Sequence, residues 1–272
     1  MSTLSSSGGD ANAPRPRAFV WLVGGVVLFA WASLAVWSAS PYSRFLAHGG
    51  WIDDGFFDEL CRAIPHGGVL LPAATHTLAW LMMIAAMMLP TTLPLLALFG
   101  RIIHGRADAT RLQMLVIAGY AIAWGAFGLA AHALDAGVHR AAAASGWFAT
   151  HGWVAGAVVL MGAGAFQFSA LKYRCLERCR TPFGFINQRW CGQQPVRDAL
   201  RIGFDHGVFC VGCCWALMLV MFVVGMGNLA WMLLIGLAMA IEKNVSWGKR
   251  VSAPLGVALM AGSLALVAAN LG

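Results

Sequence analysis

The sequence predicts an all-α fold, a polytopic transmembrane helical bundle of about seven spans. Hydrophobic residues make up 60% of the 272 residues and charged residues only 11%, whereas soluble domains carry about 25% charged residues. Several apolar segments also reach about 20 residues, the length a helix needs to cross a hydrocarbon core of roughly 30 Å. Helices are expected because backbone polar groups inside a bilayer must be satisfied within the segment.

Seven apolar segments are the predicted spans. They cover residues 19–39, 76–99, 112–134, 147–170, 207–225, 228–241 and 253–271. Pro90 and Pro94 predict a kink in the second span. The sixth span is short for a rise of about 1.5 Å per residue. It is therefore either extended by snorkelling at Glu242, Lys243 and Trp247 or enters the membrane and returns.

The remaining segments give the domain organisation. Residues 1–18, rich in Ser, Gly, Ala and Pro, are typical of a disordered tail, and residues 19–272 form a single transmembrane domain. The first apolar segment is too long for the core of a signal peptide and predicts an anchor. An outer loop covers residues 40–75, and a cysteine-bearing loop covers residues 171–206.

The distribution of basic residues predicts the orientation. The segments on one side hold 15 of the 18 Lys and Arg residues, and the other side holds only Arg44, Arg62 and Arg140. Cytoplasmic loops carry such an excess, so the N-terminus and loop 171–206 are predicted in the cytoplasm and the C-terminus outside. Topology and anionic lipid then explain the net charge of +7, and no nucleic-acid partner is expected.

Six of the seven cysteines lie on the predicted cytoplasmic side: Cys175, Cys179, Cys191, Cys210, Cys213 and Cys214. Because the cytoplasm keeps thiols reduced, metal binding or thiol chemistry is favoured over a disulfide framework. Cys61 lies on the outer side. The roles of Cys61 and Cys191 stay open.

The spacing of these cysteines predicts two helical faces that could share one metal ion. Residues three or four apart lie on one face of a helix, as do Cys175 with Cys179, and Cys210 with Cys213 and Cys214. His206 lies one turn before the second set, and Met218 lies one turn after it. The candidate metal ligands are Cys175, Cys179, Cys210, Cys213, Cys214, His206 and Met218.

Basic residues surround the first cysteine pair. Lys172, Arg174 and Arg178 would favour the thiolate that binds a metal. The alternative is that these cations are only the positive-inside signal and that the cysteines are only small buried hydrophobes.

Two longer motifs resemble a known family. The stretch from Phe166 to Lys172 with Cys175, Cys179 and Pro182, and then the stretch from Cys210 to Met218, resemble a bacterial family of predicted metal-binding integral membrane proteins. That family has only a domain-of-unknown-function label, and some of its members are called copper chaperones. The resemblance covers about Leu78 to Gly262 and includes Met87 to Pro90, Tyr120, Trp124, Gly225-Met226, Asn228-Leu229, Trp231-Met232 and Glu242-Lys243.

The resemblance implies a multi-pass protein of the bacterial inner membrane that binds a metal. Cys175, Cys179, Cys210, Cys213 and Cys214 match the cysteine motifs of the family. This chain has Phe166 where the family has Tyr and Ser246 where it has Pro. Neither change removes a candidate ligand.

Ligand softness predicts which metal is bound. Thiolates and thioethers select Cu(I), Zn(II) or iron–sulfur clusters. The chain has 13 methionines, with Met82, Met83, Met87 and Met88 in one predicted span. Because zinc sites rarely use thioethers, Cu(I) is preferred and zinc is the alternative. Most of the methionines are expected to be core packing.

Other polar residues in the spans are expected to have local roles. Asn228 is predicted to cap the sixth helix, and Glu242 with Lys243 to form an ion pair at the membrane boundary. Gln167 could face the same vestibule as Cys175.

Three functions remain open from the sequence. The preferred one is a membrane protein that binds, stores or translocates Cu(I), with the lipid bilayer, the metal ion and a copper-delivering or copper-accepting protein as partners. The second is a membrane thiol–disulfide or electron-transfer protein using Cys210 and Cys213, and the third is a structural subunit of a membrane complex. Hydrolytic or ATP-driven activity is not expected, because the sequence contains no G-x-x-x-x-G-K-[ST], H-E-x-x-H or G-x-S-x-G motif.

Overall fold

The computed structural model describes residues 16–39, 70–147, 151–224 and 228–271, and in these ranges it is helical with no strand. The α-helices are α1 Pro16–Ser38, α2 Leu70–Met87, α3 Leu93–Ile102, α4 Ala109–Ala143, α5 Trp153–Phe166, α6 Ala170–Arg180, α7 Pro182–Arg189, α8 Pro195–Val224, α9 Leu229–Asn244 and α10 Ser252–Leu271. The predicted all-α class is confirmed for this part of the chain. Most of the predicted tail and of the outer loop 40–75 lies outside the described residues, as does Cys61.

Among the described residues, four helices are long and apolar enough to cross a membrane, and the number rises to six if each of two bent helix pairs is one span. Helix α9 corresponds to the predicted sixth span. It has 16 residues and is shorter than these candidates, as expected from the sequence. The count of seven spans and the orientation of the termini stay predictions.

The first bent pair has its break next to Pro90. The segments Thr77–Met87 and Leu89–Ile102 differ in direction by 52°, and a 3-10 helix, Leu89–Thr92, joins them. Proline has no N–H to donate to a carbonyl of the preceding turn. The threonine hydroxyls donate to backbone carbonyl oxygens at this break, Thr91 to Met88 O and Thr92 to Leu89 O, both at 2.7 Å. The predicted kink in this segment is confirmed.

The second bent pair has no proline at its break. Helices α5 and α6 differ in direction by 63°, and Ser169 caps the second helix by accepting a hydrogen bond from Lys172 N at 3.1 Å. Gln167 donates its side-chain amide back to Ala163 O at 3.0 Å. The cysteine-bearing segment 171–206 is thus largely helical, comprising most of α6, α7 and the first turns of α8.

Helix α8 lies at the centre of the fold, packing most extensively on α4 and also on α6 and α5, while α10 packs along α5. The α4–α8 approach depends on small residues. A Cβ at Gly203 would overlap the Val116 carbonyl oxygen, and one at Gly119 would overlap the Leu200 carbonyl oxygen. This close contact brings Tyr120 of α4 next to the cysteines of α8.

The predicted cap of the sixth helix is confirmed. Asn228 Oδ1 accepts a hydrogen bond from Trp231 N at 3.2 Å at the start of α9. The opposite end of α9 carries Glu242 and Lys243, both buried. That end packs among α2, α6 and α8, so it brings two ionisable side chains to the centre of the bundle.

Candidate metal centre

Helices α6 and α8 bring cysteine thiols together in the protein interior. Cys179 Sγ of α6 lies 3.8 Å from Cys213 Sγ of α8, and Cys213 Sγ lies 3.4 Å from Cys214 Sγ. Cys210, Cys213 and Cys214 are buried in one core, and Cys179 packs against that core. Cys179, Cys210, Cys213 and Cys214 are called the thiol cluster below.

The thiol cluster bears out the predicted meeting of two helical faces. Spacing of three and four residues puts Cys210, Cys213 and Cys214 on one side of α8, and α6 packs against that side. The Cys213 thiol also donates to the Cys210 carbonyl oxygen at 3.2 Å. Whether these sulfurs bind metal stays a prediction.

Cys175 occupies a different place from Cys179. It is half-buried, and its sulfur lies against Gly212 of α8, where an added Cβ would come within 2.6 Å of it. Gly212 therefore makes room for the Cys175 side chain and lets α6 approach α8. The described contacts place Cys175 beside the thiol cluster and give it no sulfur neighbour.

The two other candidate ligands on α8 are buried. Met218 is fully buried in the same core as the thiols. His206 packs between the rings of Tyr120 and Phe185, at centroid distances of 6.0 and 5.9 Å, and its Nδ1 has no hydrogen-bond partner. A buried nitrogen without a partner is costly, so His206 retains an unused donor or acceptor one turn from Cys210.

Cys191 lies apart from the thiol cluster. It is exposed between α7 and α8. Its backbone N–H donates to Asp198 Oδ2 at 3.2 Å, which fixes the loop before α8. No described contact links its sulfur to another candidate ligand.

A buried lysine reaches the thiol cluster, contrary to the prediction for this residue. Lys243 Nζ donates to Cys210 Sγ at 2.9 Å, and Thr91 Oγ1 and Met88 Sδ lie 3.5 and 3.6 Å from it. The Tyr120 hydroxyl and the Cys210 thiol are also hydrogen-bonded, at 3.0 Å. Sequence reasoning missed Lys243 and Tyr120 at the site, although an ionisable residue in an apolar segment is itself a signal of function.

The predicted ion pair between Glu242 and Lys243 is wrong. Glu242 Oε1 instead accepts hydrogen bonds from Lys172 Nζ at 2.7 Å and Ser252 Oγ at 2.6 Å, with the lysine and the carboxylate fully buried. Lys172 also donates to Gln167 Oε1, which places Gln167 in this network. Arg180 donates to the Glu242 backbone carbonyl.

The described donors do not form a complete metal site by themselves. In the ranges that the structure describes, no group of three or more His, Cys, Asp or Glu side chains is arranged to hold a metal ion. Sulfurs 3.4 and 3.8 Å apart are nevertheless close enough to bind one ion through metal–sulfur bonds of about 2.3 Å. Sulfur donors in a buried pocket suit a soft ion, and Cu(I) can be held by two of them.

Comparison with known proteins gives the family. A family model described as PpoB2, copper chaperone, matches residues 77–266. No curated protein and no solved structure matches the chain significantly. The matched region contains the thiol cluster, the other candidate ligands and Lys243, and it extends over more than half of the chain. The protein belongs to the PpoB2 copper chaperone family.

Proposed function

We propose that this protein is a multi-pass protein of the bacterial inner membrane that accepts, stores or translocates Cu(I) through the thiol cluster. The observation that carries the proposal is the contact between Cys179 of α6 and Cys213 of α8 inside the region matched by the copper chaperone family. Two helices distant in sequence thus supply soft donors at one buried point. The copper ion is the cargo of this site.

The surface of the helices supports a membrane location. Large apolar side chains are exposed along α1 and α10, among them Trp21, Phe29, Val257 and Leu264, each with more than half of its surface accessible. An extended apolar surface of this kind is unfavourable in water and indicates contact with another protein or with lipid. Helices of this length and composition are suited to a lipid bilayer.

Several neighbouring side chains support Cu(I) over zinc. Met218 is one turn from Cys214, and Met88 contacts the same ammonium group as Cys210. Thioether sulfur is a ligand that Cu(I) accepts readily. The carboxylate next to Lys243 in the sequence, that of Glu242, is engaged by Lys172 and Ser252 and is not free to bind a metal ion.

Replacement of single thiols tests this function. In protein purified in detergent under reducing, oxygen-free conditions, copper, zinc and iron are counted per chain. Cys210→Ser and Cys213→Ser are each expected to lower bound copper sharply, because serine removes a soft donor. Met218→Leu is expected to lower it less and to preserve the fold, because the two side chains have similar volumes.

The control is Cys191→Ser, which changes an exposed cysteine outside the thiol cluster and is expected to leave bound copper unchanged. A wild-type protein that binds no copper under these conditions would contradict the proposal. If that protein instead oxidised a dithiol or reduced a quinone, the closely spaced Cys179 and Cys213 would be assigned to thiol redox chemistry.

A further inference from the structure

Three side chains, from helix α8 and from the kink after α2, surround the side-chain nitrogen of Lys243. The residue is buried, and its Nζ lies within 3.6 Å of Cys210 Sγ from α8, and of Met88 Sδ and Thr91 Oγ1 at the kink after α2. An ammonium group has three N–H donors and no acceptor. The three neighbours are all able to accept, since the Thr91 hydroxyl directs its own proton to Met88 O. This environment is built for the charged form of lysine.

Among the residues that the structure describes, no carboxylate balances this charge. Within the described ranges Lys243 has no salt bridge, and the adjacent Glu242 is directed to Lys172 and Ser252. A buried ammonium without an anionic partner is strongly unfavourable. The negative charge beside Lys243 can therefore come from the sulfurs of the thiol cluster. Among these, Cys210 Sγ is in direct contact with Lys243 Nζ.

Charge counting indicates what this lysine does when a metal ion is bound. A Cu(I) ion held by two thiolates carries a net charge of minus one, and the Lys243 ammonium brings the buried site to zero. A divalent ion held by the same two thiolates would be neutral by itself, so the lysine would leave the site with an uncompensated positive charge unless a third thiol of the cluster also ionised. Uncompensated charge is costly in a medium of low dielectric constant.

We propose that Lys243 is the built-in counter-cation of the metal centre. Its positive charge makes the site electrically neutral when two thiolates hold a monovalent soft ion, and in this way it selects Cu(I) over Zn(II). This inference rests on the proposed copper function. It assigns Lys243 a role through charge, as a specificity-determining residue that does not itself bind the metal.

The test compares two substitutions at this position. Lys243→Leu removes the charge and adds no sulfur that could bind copper, whereas Lys243→Arg keeps the charge. Affinities for Cu(I) and for Zn(II) are measured on the full-length protein by competition with chelators of known affinity. We expect Lys243→Leu to weaken Cu(I) binding by about tenfold or more and to leave Zn(II) binding unchanged or stronger, whereas Lys243→Arg retains most of the preference for Cu(I).

Lys249→Leu is the matched control, since it makes the same substitution at an exposed lysine that pairs with Glu177. Thermal unfolding and helical content are recorded for every variant, and if Lys243→Leu does not fold, Lys243→Gln replaces it with the same expected loss. The inference is overturned if the neutral variant keeps the wild-type ratio of Cu(I) to Zn(II) affinity, or if Lys243→Arg loses as much as Lys243→Leu. Absence of Cu(I) binding by the wild type would instead refute the proposed function.

Discussion

The neighbouring residues Glu242 and Lys243 serve two different sites. Consecutive side chains leave a helix about 100° apart and do not face each other. Glu242 therefore reaches Lys172 and Ser252, while Lys243 reaches Cys210. Their adjacency in the sequence suggested a local pair, and this is where sequence reasoning failed, because the true partners are 70 and 33 residues away.

The buried residues Lys172 and Glu242 are predicted to be energetically coupled, so that their contributions to the free energy of unfolding are not additive. Glu242→Leu leaves the Lys172 ammonium buried without a carboxylate, so we expect the free energy of unfolding to fall by about 3 to 5 kcal/mol. The double variant Lys172→Met/Glu242→Leu is expected to recover much of this loss, because two apolar side chains replace the pair. Denaturant unfolding followed by circular dichroism measures both.

The exposed pair of Lys249 and Glu177 provides the comparison. Lys249→Met is expected to change stability by no more than about 1 kcal/mol, since exposed ion pairs contribute little. A Glu242→Leu variant as stable as the wild type, or a double variant no more stable than that single one, would show that the buried pair is not energetically coupled.

At the scale of helices, the spacing of the cysteines was sufficient to predict that two helical faces meet, because residues three and four apart project together. The bend at Pro90 was also predictable, because proline lacks the N–H that the preceding turn needs. The bend between α5 and α6 was not, since it depends on Ser169 capping a new helix. Within residues 171–206, helix was expected only around the cysteines. The start of α7 at Pro182 and of α8 at Pro195 was missed, although proline is common in the first turn of a helix.

Close packing of α4 on α8 is predicted to hold Tyr120 against Cys210. Gly203→Ala places a Cβ on the Val116 carbonyl oxygen, and a backbone atom cannot move aside as a flexible side chain can. We expect the variant to lose about 1 to 3 kcal/mol of stability or more and to bind less copper, measured by unfolding and by metal content.

Gly162→Ala supplies a matched substitution in the interior of α5. Nothing lies within 4 Å of the added Cβ there, and alanine is favoured over glycine in a helix by about 1 kcal/mol. This variant is expected to be as stable as the wild type or more so. Equal stability of the two alanine variants would refute the importance of the α4–α8 contact.

At the scale of the whole molecule, composition alone predicted helices with apolar exteriors, because a bilayer accepts little else. The number of spans was harder to predict. Two of the apolar segments are bent pairs and α9 is short, so hydropathy cannot distinguish a crossing from a re-entrant segment.

The proposed orientation can be tested with a membrane-impermeant thiol reagent on single-cysteine variants. Cys191 is exposed and lies in the segment predicted to be cytoplasmic, so it should be labelled only after spheroplasts are opened. Cys61, in the predicted outer loop, should be labelled in intact spheroplasts, as expected from the excess of basic residues on one side. Labelling of Cys191 in intact spheroplasts would reverse the proposed topology.

X-ray absorption at the copper edge, recorded on the purified protein loaded with one equivalent of Cu(I), tests the central claim most directly. The account predicts a Cu(I) edge with sulfur as the nearest neighbours in the wild type, and loss of sulfur neighbours when Cys210 and Cys213 are both replaced by serine. The same sulfur coordination in that double variant, or a wild-type centre coordinated by nitrogen and oxygen alone, would contradict the assignment of copper to the thiol cluster.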